Sequence, residues 1–477
     1  MNHGFGTAEQ ATSVTVPAVA GCGIPFVVGV APVHMTGTKA NEIILANSYA
    51  EAVTALGFTD NFKDYPLCQM IYSQFQLYGM SPVVFVNVLD TEKHVKSVEN
   101  KEYALTKGKV VLPFEAVKDK VKVYIGRELT NTYVLDTDYT AYYENESLIV
   151  EVIEGGAMES LTSVYIAYDA VDPSMVRKAD VIGGYDTETG QTTGLELIEN
   201  VFAKYGIIPD LILAPGFSQD SEVAAVMMAK GESINGLFTA KALIDVDTKV
   251  CKKYTDVVEW KNSNNLYGKN QQLYFPMVKL GDRVFYQSVH QAGVIAKTDS
   301  ANDNCPSESQ SNKSMQIDSL VLEDGTEVTM TLPQANYLND NGVCTALNFI
   351  GGFKAFGNTA ANYPSNRDIK DYMFCVSRTF QWVAKNFVLS FWDKLDKKMT
   401  PVLIDSITQT FNIYLSGLTT EQKILGGRIV VLAEENPLTN LMAGKIKFHV
   451  YLTPPSPAQQ IEAVFEYDLA YLQALVA

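Results

Sequence analysis

Residues Pro364–Lys398, PSNRDIKDYMFCVSRTFQWVAKNFVLSFWDKLDKK, decide how the rest of the chain is read. At 100° per residue Ile369, Tyr372, Met373, Val376, Phe380, Val383, Phe387 and Phe391 fall on one stripe, and Arg367, Asp371, Arg378 and Lys385 line the other side. The pattern predicts one long helix with a face to bury. Ser365, with Asp368 three residues on, is its expected N-cap, and Pro401 its stop. From Ser365 to Thr400 seven Lys/Arg stand against four Asp, a basic island in a chain of formal charge −17. Such an island suits either a solvated helix face or a docking face for an acidic partner.

Downstream, Thr400-Pro401 opens a second expected helix through Leu415, and Gly426-Gly427 precedes a strand from Arg428 to Leu432. Asn436-Pro437 marks a turn, and Gly444–Thr453 alternates as a half-buried strand, with His449 on its polar, solvent side. After Pro454-Pro455-Ser456-Pro457 a last alternating strand is expected from Ile461 to Tyr467. This order, with Gly351-Gly352, Phe356-Gly357-Asn358, Gly426-Gly427-Arg428, Glu435-Asn436-Pro437, Gly444-Lys445 and Thr453-Pro454-Pro455, resembles the C-terminal domain of contractile phage tail sheath proteins. Gly23–Val33 (GIPFVVGVAPV) is similar to the opening segment of that family, and Gln291–Asp299 (QAGVIAKTD) to its helix before an irregular loop. Gln334-Ala335-Asn336, Leu338-Asn339 and Gly342-Val343 resemble the segment just before the C-terminal domain. The order of these short words carries the resemblance, and 91–173 shares least in it.

A length of 477 residues implies about three domains, and 47% hydrophobic with 19% charged residues describes an ordinary globular protein. The excess of 54 acidic over 37 basic residues argues against gripping a nucleic-acid backbone through the overall field. Neither a secretory leader nor a run of 18 apolar residues is present, so no export by that route and no membrane span is expected. Six scattered cysteines without a CxxC fit reduced thiols.

Along the chain, Thr12-Ser13-Val14-Thr15-Val16 is a short β run with nothing beside it to pair with, so 1–20 reads as an arm. Strands are expected at Pro25–Val30 and Pro82–Leu89, and helices at Asn41–Leu56 and Tyr65–Tyr78, an α/β layer. Between Thr91 and Pro173 the pattern turns to short strands (Val121–Tyr124, Thr132–Leu135, Ser147–Val152, Ser163–Ala167), an inserted β subdomain expected on the outside of the particle. A βαβ pattern returns with helices Gly194–Lys204 and Asp220–Lys230 and strands Leu211–Ala214 and Leu237–Asp245. Strands Leu273–Val278 and Arg283–Tyr286, a short helix Ser288–Ala296, a polar loop Asp299–Ser314 and a hairpin Val321–Leu332 follow.

No chemistry stands out. Gly21-Cys22-Gly23 lacks the third glycine of a dinucleotide fingerprint, and no GxxxxGK[ST] occurs. Ser218 follows a strand as a nucleophile would, but Gln219-Asp220 replace the glycine, and a helix N-cap is its expected role. The five histidines make no metal-binding spacing, and Asp245 and Asp247 have no third ligand near in sequence. No catalytic, cofactor or metal site is expected.

The expected architecture is therefore α+β and α/β multidomain: an arm at 1–20, an α/β domain at 21–90 and 174–345 with a β-rich insertion at 91–173, and a C-terminal helix-and-sheet domain at 346–477 ending in an extended strand arm. The resemblance implies a structural subunit that polymerises around a tail tube and contracts to drive the tube through a bacterial envelope. It also implies contacts with copies of itself and with tube, baseplate and tail terminator proteins, on a virion tail or tailocin particle assembled in the host cytoplasm. Strand exchange between subunits would use Thr12, Val14, Val16, Ile461, Phe465 and Tyr467; the tube-facing residues would be Arg367, Arg378, Lys385, Lys394, Lys397 and Lys398. The competing reading is an α/β enzyme or nucleotide-binding protein with a β insertion.

Overall fold

Long runs of Val, Ile and Leu without polar alternation build the centre of the chain. The computed structural model describes residues 21–127, 131–473 and 475. Its main sheet contains β1 (Pro25–Gly29), β2 (Ile43–Ala46), β3 (Val83–Asn87), β4 (Leu211–Leu213), β5 (Lys241–Asp245), β6 (Gln271–Tyr274), β7 (Val343–Asn348) and β8 (Phe353–Phe356) in the order β2-β3-β1-β4-β5-β6-β7-β8. The six inner strands are parallel, and β2 and β8 close the two ends antiparallel. Every residue of β1, β3, β4, β5 and β6 is buried, as expected of parallel strands covered on both faces. Phe26, Val28, Val84, Val86 and Ile212 enter one core, and Val27, Val83, Phe85, Leu211 and Leu213 the other.

The sheet corrects several expectations. Ile43–Ala46 is a strand paired with β3, and the helix spans only Tyr49–Leu56, capped by the Ser48 side chain accepting from Glu51 N. The expected strand Leu273–Val278 is split, because Pro276 has no N–H to continue a ladder; Met277–Leu280 joins a separate four-stranded sheet. The helix expected at Ser288–Ala296 runs further, as α1 (Gln287–Ala301), with its polar residues Gln287, Ser288, His290, Gln291, Thr298 and Asp299 buried along with its apolar ones. Strand β7 crosses the expected boundary at 345/346, so the α/β body continues through Phe356.

Residues 95–171 fold into two three-stranded antiparallel sheets around a core of their own that includes Val110, Leu112, Val123, Leu148, Val150 and Ile166. Thr132–Leu135 makes only isolated bridges to Tyr124 and Tyr139 and is not a strand.

The opening stretch is two helices. Asp368 accepts from Lys370 N at 3.1 Å and caps one turn, Ile369–Tyr372. Met373 then turns extended (ψ 110°) because its backbone bridges Thr359, and Phe374 N bonds Asn358 O at 3.0 Å. From there α2 (Phe374–Phe391) runs to a short 3-10 turn at Trp392–Lys394. Then α3 (Pro401–Thr420), capped by Thr400, packs on a two-stranded sheet of β9 (Gly426–Val430) and β10 (His449–Thr453), with Trp382, Phe391, Phe411, Leu415 and Ile429 at the core.

Candidate assembly site

Two features of the terminal domain carry function: the way it is fixed to the body, and the surface it leaves incomplete. The fixing is a buried ion network. Arg378 of α2 is 4% exposed and Lys385 3%. The Arg378 guanidinium donates to Asp299 of α1 through both terminal nitrogens, one at 3.0 Å to Oδ1, and to Asp210 Oδ2 at 2.9 Å. Asp210 in turn accepts from Gly23 N at 3.0 Å and Ile24 N at 2.7 Å, holding the chain just before β1. Burial pushes the Asp210 carboxyl up, yet the charges of Lys385 and Arg378 overcome it and hold the group below its usual range. Arg378 and Lys385 were expected to face a tube. In the folded subunit both are buried against the α/β body instead, because the side of the helix opposite the apolar stripe packs as well, which periodicity does not show.

Beside this network Lys241 of β5 donates to Lys269 O at 3.0 Å, Asn270 Oδ1 at 2.8 Å and Ser377 Oγ at 2.7 Å. Burial pushes its amine down to about 7 from 10.5, and the charges of Arg378 and Lys269 add to the effect. In that window the unfolded chain keeps a proton that the folded one has released, so the contribution of Lys241 to stability rises from pH 7 toward 10.5. Urea midpoints of Lys241→Met are expected to lose this rise while keeping the rest of the pH profile.

Ser218 is not a helix cap. Asp220 caps that helix, and Ser218 lies buried beside Asp245 Oδ2 at 3.4 Å. Asp245 also accepts from Ser288 N at 2.8 Å and Oγ at 2.6 Å, and burial pushes its carboxyl up to about 6. His290, on the same helix as Ser288, is paired with Tyr78 OH at 3.1 Å. His449 is bonded to Glu435 Oε1 at 3.1 Å rather than facing solvent alone.

The incomplete surface lies in the open strand edges. Both ends of the main sheet are covered from within. Lys204 Nζ and Tyr205 OH donate to Ile43 O of β2 at 3.0 and 2.8 Å. Residues 312–315 lie along β8, with Ala355 N bonding Lys313 O at 2.9 Å and Met315 N bonding Phe353 O at 2.9 Å. On β9 the Asn412 amide takes both Ile429 N (2.9 Å) and Ile429 O (3.1 Å). Among the described residues no further strand pairs with β10.

Beyond β10 the chain still touches the body through Pro454, which is buried, and Gln459, whose Nε2 donates to Met373 Sδ at 3.8 Å, and leaves it from Ile461. Residues Ile461–Tyr467, expected as a strand, form none here: the alternation is present, but the chain offers no partner ladder. Ile461 is 88% exposed and Phe465 94%, and Val464, Tyr467, Leu469, Tyr471, Leu472 and Leu475 are exposed as well. Burying each of the larger apolar side chains is worth roughly 1.5–3 kcal/mol, so this tail is built for a partner. Thr12, Val14 and Val16 lie outside the described residues. Of the expected tube-facing group, Arg367, Lys397 and Lys398 are exposed and Lys394 is half-buried, while Asp393 holds Lys394 at 2.8 Å and Lys397 at 3.3 Å.

Sequence reasoning missed Asp210, Asp299 and Lys241. The first stands at the head of an apolar run, Asp210-Leu211-Ile212-Leu213, where a lone acid signals a buried partner; Asp299 ends the QAGVIAKTD word.

An α/β body closed at its sheet ends, joined rigidly to a domain with an open strand edge and a bare apolar tail, defines a building block that completes its surface by association. Over 99% of its length the chain is 23% identical to the tail sheath protein of Burkholderia phage BcepMu, covering 98% of that protein. A putative prophage major tail sheath protein of Pseudomonas aeruginosa is 22% identical over 62% of this chain and 74% of its own. The fold matches the contracted helical sheath of the anti-feeding prophage with a TM-score of 0.58 at 12% identity, covering 98% of this chain and 99% of that one. No family profile matches. Along its whole length the chain is similar in sequence to a tail sheath protein and in fold to the subunits of contractile sheaths.

Proposed function

We propose that this subunit polymerises as helical stacks around a tail tube and contracts by rigid movement of subunits that stay joined through exchanged strands. The observation that carries this reading is an open edge on β10 followed by an exposed alternating tail, while the edges of the main sheet are covered. Strand exchange is assigned to Thr12, Val14 and Val16 on one side and Ile461, Phe465 and Tyr467 on the other. The two segments lie at opposite ends of the chain, so each copy can be tied to more than one neighbour. Baseplate contact is supported by the likeness to the baseplate sheath of the anti-feeding prophage; tube and terminator proteins are further partners of this reading. Its place is the tail of a virion or of a tailocin, assembled in the host cytoplasm. A tube-facing role falls to Arg367, and the residues after α2 are assigned differently below.

Negative-stain microscopy of the purified chain tests the reading: hollow helical tubes are expected, and discrete globules at all concentrations would refute it. Deleting residues 1–18 should leave a soluble subunit with unchanged melting that builds no tubes. An arm that folds back on its own domain would instead lower the melting temperature.

A further inference from the structure

The connector from Trp392 to Val402, WDKLDKKMTPV, joins α2 to α3 and exposes apolar side chains at three- and four-residue spacing. Trp392 is 58% exposed, Leu395 59% and Val402 77%, with Met399 between them also exposed. Between these stand Lys394, Lys397 and Lys398 against Asp393 and Asp396, a local surplus of one positive charge on a chain of −17. The tail has the opposite character. From Pro454 onward it contains no Lys or Arg, it holds Glu462, Glu466 and Asp468, and it exposes Ile461, Val464, Phe465, Tyr467, Leu469, Tyr471 and Leu475.

We propose that in the polymer the acidic, apolar tail of one copy lies on the basic, apolar connector of another. This rests on the sheath reading and adds to it a side-chain docking site beside the main-chain pairing. Charge complementarity selects the occupant: a second copy of this acidic chain presents few other surfaces that are both apolar and free of lysine. The apolar contacts supply most of the affinity, since rim ion pairs contribute about 0–1 kcal/mol each and fall with salt. The charges set which end of the tail meets which end of the connector. Such a contact joins two different patches, so it propagates instead of closing a dimer.

A charge swap on the full chain tests this. Lys397→Glu/Lys398→Glu should reduce polymer yield by sedimentation on the order of tenfold at low salt, since two weak pairs per contact together approach the 1.4 kcal/mol of one decade. Adding Glu462→Lys/Glu466→Lys to the same chain should restore it. Leu395→Cys and Leu472→Cys, on separate chains that are mixed and treated with a short bismaleimide, should give a dimer band absent from either chain alone. Polymers of normal yield from the lysine variant, or a swap that fails to restore them, overturn the inference. Intact polymers that no longer decorate tubes would also overturn it, giving the connector to the tube instead. A wild-type chain that forms no polymer refutes the sheath reading as well, so the two failures are distinguishable.

Discussion

Arg378→Leu is expected to lower the stability of the folded subunit by about 3–5 kcal/mol, because it leaves Asp299 buried without the guanidinium that pairs with it and Asp210 with Lys385 alone. The loss should depend on pH with a definite sign. Burial already raises the folded-state pKa of Asp299 above the unfolded value near 3.8, and losing the guanidinium raises it further. The folded variant then binds more protons than its unfolded chain just above that value, so its stability falls as pH rises and the gap from wild type narrows in acid. Denaturant midpoints across that range measure this. Asp210→Asn/Asp299→Asn/Lys385→Met added to Arg378→Leu should recover most of the loss, since removing all members of a buried ion cluster costs far less than removing one. A single variant as stable as wild type would show that the joint does not depend on the network.

Truncation after Gln460 is expected to abolish polymerisation while leaving the melting of the monomer unchanged. The removed residues bury almost nothing against their own chain: Ile461, Val464 and Phe465 each keep more than four-fifths of their surface in water, so the folded monomer loses no packing. In the proposed polymer the same side chains would enter contacts that repeat at every lattice point, where a modest gain per contact multiplies. Sedimentation and circular dichroism of the truncated chain read both halves of the expectation. Normal tubes would sink the assembly role of the tail, and a lowered melting temperature would show that it packs on its own body.

Element types in the body were legible because β1, β3 and β4 need only unbroken β-branched and apolar runs, a local property. Residues 147–152 and 163–167 of the insertion were legible for the same reason. The face of α2 was not. Its periodicity gave the apolar stripe, but whether Arg378 meets water or Asp210 depends on a residue 168 positions away. No window of sequence contains that information. The edge strand β2 was lost because Ile43–Ala46 is a four-residue apolar run directly before the helix at Tyr49, and so short a run fits either element. At Ile461–Tyr467 the alternation was visible, while no partner that would turn alternation into a ladder lies among the described residues.

The eight residues from Ile461 to Asp468 are a leash, exposed along their whole length beyond a root at 454–460 that still touches the body. Drawn taut at roughly 3.3–3.6 Å per residue, the leash spans about 26–29 Å. In the proposed polymer that length would cap how far two neighbours can slide or swivel before the tail must let go, and with it the stroke open to each pair of subunits.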